Sequence, residues 1–142
     1  MTSIGKIGEQ FVAQWLIYRG WHILQDRWRS PYGEIDLIAQ HNKLDLLIFV
    51  EVKTRKNRNW DQNGILAINP QKQNKIRQTA DYFLGEYPHF SEFSCRFDVA
   101  LVHHKPCSQN YTENNNFVTK IGQTIAWKGY QLTLLDYLEA AF

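Results

Sequence analysis

Cysteine is scarce in this chain. Only Cys95 and Cys107 occur among 142 residues. They lack the spacing of a metal-ligand pair, and two thiols in a non-secreted chain are most simply free, so neither a disulfide framework nor a zinc site is expected. Long apolar runs are missing too. None approaches the roughly 20 residues of a membrane-spanning helix. Residues 1–6 (MTSIGK) have no apolar core of a signal peptide. A cytoplasmic protein without a membrane partner is the default expectation. Neither sign of charge dominates: 16 Lys and Arg against 14 Asp and Glu give a net charge of +2. That balance is compatible with nucleic acid without being diagnostic of it. There is no internal repeat and no composition break, so residues 1–142 read as a single domain, long enough for a sizeable core.

What is present centres on residues 33–55, GEIDLIAQHNKLDLLIFVEVKTR. Two runs rich in β-branched and large apolar residues flank the polar turn His41-Asn42-Lys43, the pattern of a hairpin. Alternation along a strand places Ile35, Leu37 and Ala39 on one face, and Glu34, Asp36 and Ile38 on the other. In the second run Ile48, Val50 and Val52 share a face, opposite Phe49, Glu51 and Lys53. Glu51 and Lys53 therefore project together from the end of an apolar strand. If Asp36 pairs onto that face, two carboxylates and an ammonium converge. Half-buried charges of this kind are costly unless they compensate one another or hold a cation. Mg²⁺ commonly takes one or two carboxylates plus phosphate and water. The bland alternative is a surface hairpin with ordinary ion pairs, and the apolar run before Glu51 argues against it.

Upstream, Ile4, Ile7, Phe11, Val12, Trp15 and Leu16 form an apolar stripe at helical spacing over residues 4–19, with Ser3 as N-cap and Gly20 beyond the end. Glu9 borders that stripe, placed either as a solvated helix glutamate or as a third acid leaning over the hairpin. Residues 21–28 (WHILQDRW) read as a strand with Ile23 on one face and His22 and Leu24 on the other. Downstream, residues 56–68 read as a loop beside a substrate. Asn69-Pro70 opens a second helix with Ile76, Ala80, Phe83 and Leu84 on its buried side. Lys72, Lys75 and Arg77 stand near its start, against the helix dipole, which suits a phosphate-facing role as well as a solvated face. Residues 93–103 (FSCRFDVALVH) form another strand. His103-His104 reads as a strand end rather than a metal pair. The Asn-rich residues 105–123 read as a loop excursion, residues 124–127 and 130–135 as a closing hairpin around Lys128-Gly129, and residues 136–142 as a terminal turn or helix. Basic residues interleave with Trp15, Trp21, Trp28 and Trp60 in the first half of the chain. That arrangement suits phosphate contact with base stacking, or tryptophans serving as core.

Five stretches together resemble the YraN-like (UPF0102) family over nearly the whole chain: Gly5-x-x-Gly8-Glu9; residues 33–38 (GEIDLI); Phe49-Val50-Glu51-Val52-Lys53-x-Arg55; Lys72 and Ala80; and Arg96-Phe97-Asp98-Val99. That family is similar to the PD-(D/E)XK, restriction-endonuclease-like nucleases, including Holliday-junction resolvases. Residue 35 is Ile where the superfamily motif has Pro. The resemblance implies an α/β fold with an αβββαβ core, a central mixed sheet flanked by helices. It implies a Mg²⁺- or Mn²⁺-dependent endonuclease acting on DNA, in branched or single-stranded form, in repair or recombination. A nucleic-acid-binding module without cleavage and an RNA-processing nuclease are the alternatives. Asp36, Glu51 and Lys53, with Glu9, stand in the catalytic positions. Asp36, Glu51, Glu9 and the Val52 carbonyl stand as metal ligands. Arg55, Arg58, Lys72, Lys75 and Arg77 would face nucleic acid. Many proteins of this fold act as homodimers, so that both strands are cut.

Overall fold

A computed structural model describes residues 3–56, 68–107 and 117–142. Helix α1 spans Ile4–Ile17, capped by Ser3, whose side chain accepts from Lys6 N. Strands β1 (Trp21–Ser30), β2 (Gly33–His41) and β3 (Leu46–Arg55) follow. Helix α2 spans Pro70–Glu86, and a 3₁₀ turn spans Pro88–Phe90. Strands β4 (Ser94–Pro106), β5 (Thr124–Trp127) and β6 (Tyr130–Leu138) complete the chain. The expected αβββαβ order is present, with a β5–β6 hairpin added at the end. Asn69 caps α2 by accepting from Lys72 N, with Pro70 in the first turn, where its missing N–H costs nothing.

The strands form one six-stranded mixed sheet, ordered β1-β2-β3-β4-β6-β5. Among the described residues, only β3 and β4 run parallel. The parallel step requires a crossover, and α2 lies in that connection. One core lies under α1: Phe11, Val12 and Leu16 pack on Leu37, Ile48, Val50 and Val102. The other lies under α2: Ile76, Ala80 and Phe83 pack on Ile38, Leu47, Phe49 and Val99. The sheet is therefore buried on both faces, and its central strands are correspondingly apolar.

Three sequence expectations change here, and one left open is decided. Ile35 does not share a face with Leu37 and Ala39. It joins Ile38 in the α2 core, while Leu37 and Ala39 lie under α1. The neighbouring strand switches in step. Trp28 pairs with Ile35 and also faces α2, and just before it Arg27 has a left-handed backbone, with φ of 48°. His103 and His104 do not end β4 but lie buried within it, because β6 pairs along it as far as Pro106↔Tyr130. Residues 136–138 continue β6, so of the expected terminal turn or helix only a turn at residues 139–140 is present. Trp15 is buried, and Trp21 and Trp28 pack against the two cores, so these three are core residues. Trp60 lies outside the described residues.

Cys95, near the start of β4, and Cys107, just beyond its end, are not joined in a disulfide. Among the described residues no helix is long and apolar enough to cross a membrane. Of the segment read as an excursion, Lys105 and Pro106 belong to β4. Phe117 stacks on Phe11 at 5.5 Å, and residues 108–116 lie outside the described residues.

Candidate functional site

The site begins where two strands part. β2 pairs with β3 only from Leu37↔Val50 to Gln40↔Leu47. Beyond that point β2 keeps only β1, and β3 keeps only β4, along Glu51–Arg55. The fork opens at Asp36 and Glu51, the next residues on each strand. Val52 N–H, which loses its ladder partner there, donates to Asp36 Oδ2 at 2.8 Å. The aspartate side chain thus substitutes for the missing backbone acceptor, and its carboxylate is drawn to β3. Burial first and Glu51 second push the Asp36 carboxyl up to about 8, against the lowering effect of the Val52 bond. Glu9 adds to the rise, and Lys53 opposes it.

On the α2 side of β3, Lys53 Nζ lies 3.2 Å from Glu51 Oε1, with both side chains nearly buried. This juxtaposition is the one that strand alternation predicts, and Phe49 on the same face lies in the α2 core. Lys72 reaches in from the first turn of α2, with Nζ 3.9 Å from the same Glu51 oxygen. Lys53 beside it, then burial, lower the Lys72 ammonium from its ordinary range. Two ammonium groups thus crowd around one carboxylate. A phosphate oxygen would relieve their repulsion, which an isolated helix lysine would not offer.

α1 supplies Glu9 from the opposite face. The helix can approach because residue 8 is glycine: a Cβ there would collide with Thr54 Oγ1 on β3. Glu9 is buried and receives Arg27 Nε at 2.8 Å and Nη2 at 3.2 Å. This two-pronged pair is of the strong, directional kind. Sequence reading did not single out Arg27. Its number gives no cue, and the left-handed backbone that aims it at α1 is a tertiary feature.

Asp36 and Glu51 are hard oxygen donors, burial and the nearby Glu51 favour a proton on Asp36, and a divalent cation would replace that proton. The donor set therefore fits Mg²⁺ or Mn²⁺. Among the described residues, no three His, Cys, Asp or Glu side chains are gathered at one point. Glu9 is held by Arg27. Val52 contributes its N–H to Asp36.

Of the expected nucleic-acid contacts, Lys72 is at the fork. Lys75 lies farther along α2, its Cβ about 4.0 Å from where a Cβ on Gly33 would be. Arg77 turns elsewhere, its guanidinium 5.4 Å from the ring centres of both Phe97 and Phe142. Arg55 is exposed at the end of β3. Arg58 lies outside the described residues.

Asp98, in the Arg96-Phe97-Asp98-Val99 stretch, is fully buried. It accepts from Arg96 Nε at 2.9 Å and Nη2 at 3.0 Å. Tyr137 Oη donates to it at 2.6 Å, and Ala140 N at 3.0 Å. It ties β4 to β6 and the C-terminus and takes no part in the fork.

Residues 8–102 match the model of the uncharacterised protein family UPF0102. A UPF0102 protein of Synechocystis sp. is 49% identical, covering 100% of this chain and 99% of its own. One from Acaryochloris marina is 45% identical, over 99% of this chain and 90% of its own. One from Trichodesmium erythraeum is 41% identical, over 97% and 87%. The stretch matched by the family model contains Glu9, the Asp36–Glu51 fork, Lys53 and Lys72, and this chain belongs to the UPF0102 family.

Proposed function

We propose that the chain is a divalent-metal-dependent nuclease that hydrolyses phosphodiester bonds of DNA, in repair or recombination. The observation that carries this reading is the fork itself: burial and the neighbouring Glu51 carboxylate hold the Asp36 carboxyl well above its ordinary range, while Lys53 lies 3.2 Å from Glu51. A site kept only for stability has no use for that repulsion. Asp36 and Glu51 would hold the metal, with the Val52 carbonyl and Glu9 completing its shell. Bound there, Mg²⁺ or Mn²⁺ would polarise the scissile phosphate and stabilise the leaving oxygen. Lys53, steadied by Glu51, orients the attacking water. Lys72 neutralises the phosphate next to the cut, and Lys75 meets the backbone beyond it. Arg27 holds Glu9 in place until a stronger cation competes for it.

Metal-dependent nicking of plasmid DNA tests this directly. Asp36→Ala and Glu51→Ala are each expected to lower the rate at least about a hundredfold, the scale of removing a metal's charge stabilisation. Wild-type cutting by either variant would end the proposal. Calorimetric titration with Mg²⁺ or Mn²⁺, wild type against Glu51→Ala, checks the ion site without a substrate.

A second reading is a nucleic-acid-binding module without cleavage. It draws on the pairing of Glu9 with Arg27 and of Glu51 with two lysines. Junction or duplex binding with no product under any divalent ion would favour it. DNA and RNA substrates compared at matched salt separate an RNA-processing enzyme.

A further inference from the structure

One face of α2 leads away from the fork to an exposed aromatic pair. Lys72, Lys75, Thr79 and Tyr82 fall at i, i+3, i+7 and i+10, the spacing of a single helical stripe. Lys72 stands at Glu51 and Lys75 beside Gly33. Thr79 Oγ1 receives Ser30 Oγ at 3.1 Å, which fixes the turn between β1 and β2 against the helix. Ser30 Oγ also accepts from Tyr32 N at 3.0 Å. Tyr32 at the tip of that turn is 50% exposed, and Tyr82 is 39% exposed. Their ring centres are 6.4 Å apart, edge to face. Tyr82 is backed by Trp28 at 5.9 Å. A shallow cavity of about 340 Å³ lies between Tyr32, Gln78, Asp81 and Tyr82.

Single exposed tyrosines are ordinary. Here two from different elements are held at a common cavity, at the end of a row of cations. We propose that this cavity takes an unpaired nucleobase of the strand whose phosphates lie on Lys72 and Lys75. The assignment rests on the nuclease reading and specifies its substrate class: DNA with a single-stranded or splayed segment, not an uninterrupted duplex. From residue 72 to residue 82 the helix rises about 15 Å, so the base belongs a few nucleotides from the scissile bond. Tyrosine faces accept any base, and stacking is therefore tolerant of sequence. Asp81 and Gln78 add acceptors for exocyclic amino groups. Among the described residues that line the cavity, Asp81 carries the charge, and Lys75 stands about one helical turn before Gln78. The strand is attracted along the lysine side, and the base edge meets Asp81.

The test compares two short DNAs in the presence of Ca²⁺ at fixed salt, a blunt duplex and the same duplex with a three-nucleotide overhang containing 2-aminopurine. Wild type is expected to quench the 2-aminopurine and to bind the overhang more tightly than the blunt end. Tyr32→Ala and Tyr82→Ala should each weaken overhang binding about tenfold, abolish the quenching, and leave blunt-duplex affinity and the salt slope unchanged. Tyr82→Phe, which keeps the ring, should behave as wild type, as a stacking role requires. Overhang binding unaltered in both alanine variants, or equal losses on both DNAs, overturns the assignment. If nicking still depends on Asp36 and Glu51 in that case, the nuclease reading stands without it. If wild type binds neither DNA, both fail together.

Discussion

Asp98 and Asp36 are both strand aspartates set among apolar residues, and their surroundings could hardly differ more. Asp98 collects a guanidinium, a phenol and a backbone N–H, with both carboxylate oxygens engaged. Asp36 has the Val52 N–H and faces Glu51 and Glu9. Donors saturate the first carboxylate, so its burial ties elements together. The second lies at a fork where strand pairing stops, with one N–H donor from the described residues and other acids close by. A buried charge that the fold satisfies is architecture, whereas a buried carboxyl set beside other acids is an invitation to a cation.

Breaking the saturated site should have the largest effect. Asp98→Ala strands Arg96 and the buried Tyr137 hydroxyl, which burial, then Asp98, hold above its usual range. A loss of about 3–5 kcal/mol in denaturant unfolding is expected. Asp36→Asn should do the opposite, removing a carboxyl that resists ionisation. In chelator at pH 8 it should unfold at higher denaturant than wild type, while losing the metal-induced rise in melting temperature.

The same contrast has a pH signature. The folded-state value of Asp36 is raised from 3.8 to about 8, so between those values the native chain holds a proton that the unfolded chain has released. The contribution is full below about pH 4 and is lost as pH rises through 8. Without divalent ions, wild type should lose more than about 1 kcal/mol across that window relative to Asp36→Asn. Saturating Mg²⁺ should flatten the difference. Equal pH profiles for the two proteins would show that Asp36 is not under this strain.

Smaller effects probe what holds the fork open. Gly8→Ala forces a methyl into Thr54 and should cost about 1–3 kcal/mol by overpacking, with metal affinity falling because Glu9 rides on the same helix. Arg29→Ala removes a largely exposed ion pair to Glu34 and should change thermal stability by less than about 1 kcal/mol. It serves as the baseline for the other variants.

Much of this was readable in the chain. The helical stripe from Ile4 to Leu16, the Ser3 and Asn69 caps, the hairpin around His41-Asn42-Lys43 and the Lys128-Gly129 turn are local signals, and local physics enforces them. Strand alternation alone put Glu51 beside Lys53. It failed at Ile35, because Arg27 and Asp36 lie where both strands turn over. It also stopped β4 too early at His103, because strand length is set by the partner, and β6 runs on to Pro106.

The sequence by itself determined the elements and which residue types stand at the end of the apolar strand, since periodicity and capping are properties of neighbours along the chain. Only the tertiary structure decided which carboxylate is satisfied and which is strained. Donors to Asp98 come from Tyr137 and Ala140, about forty residues away, and the partner of Glu9 comes from a strand eighteen residues on. Electrostatic energy depends on distance through space, which chain position does not encode until the sheet has formed.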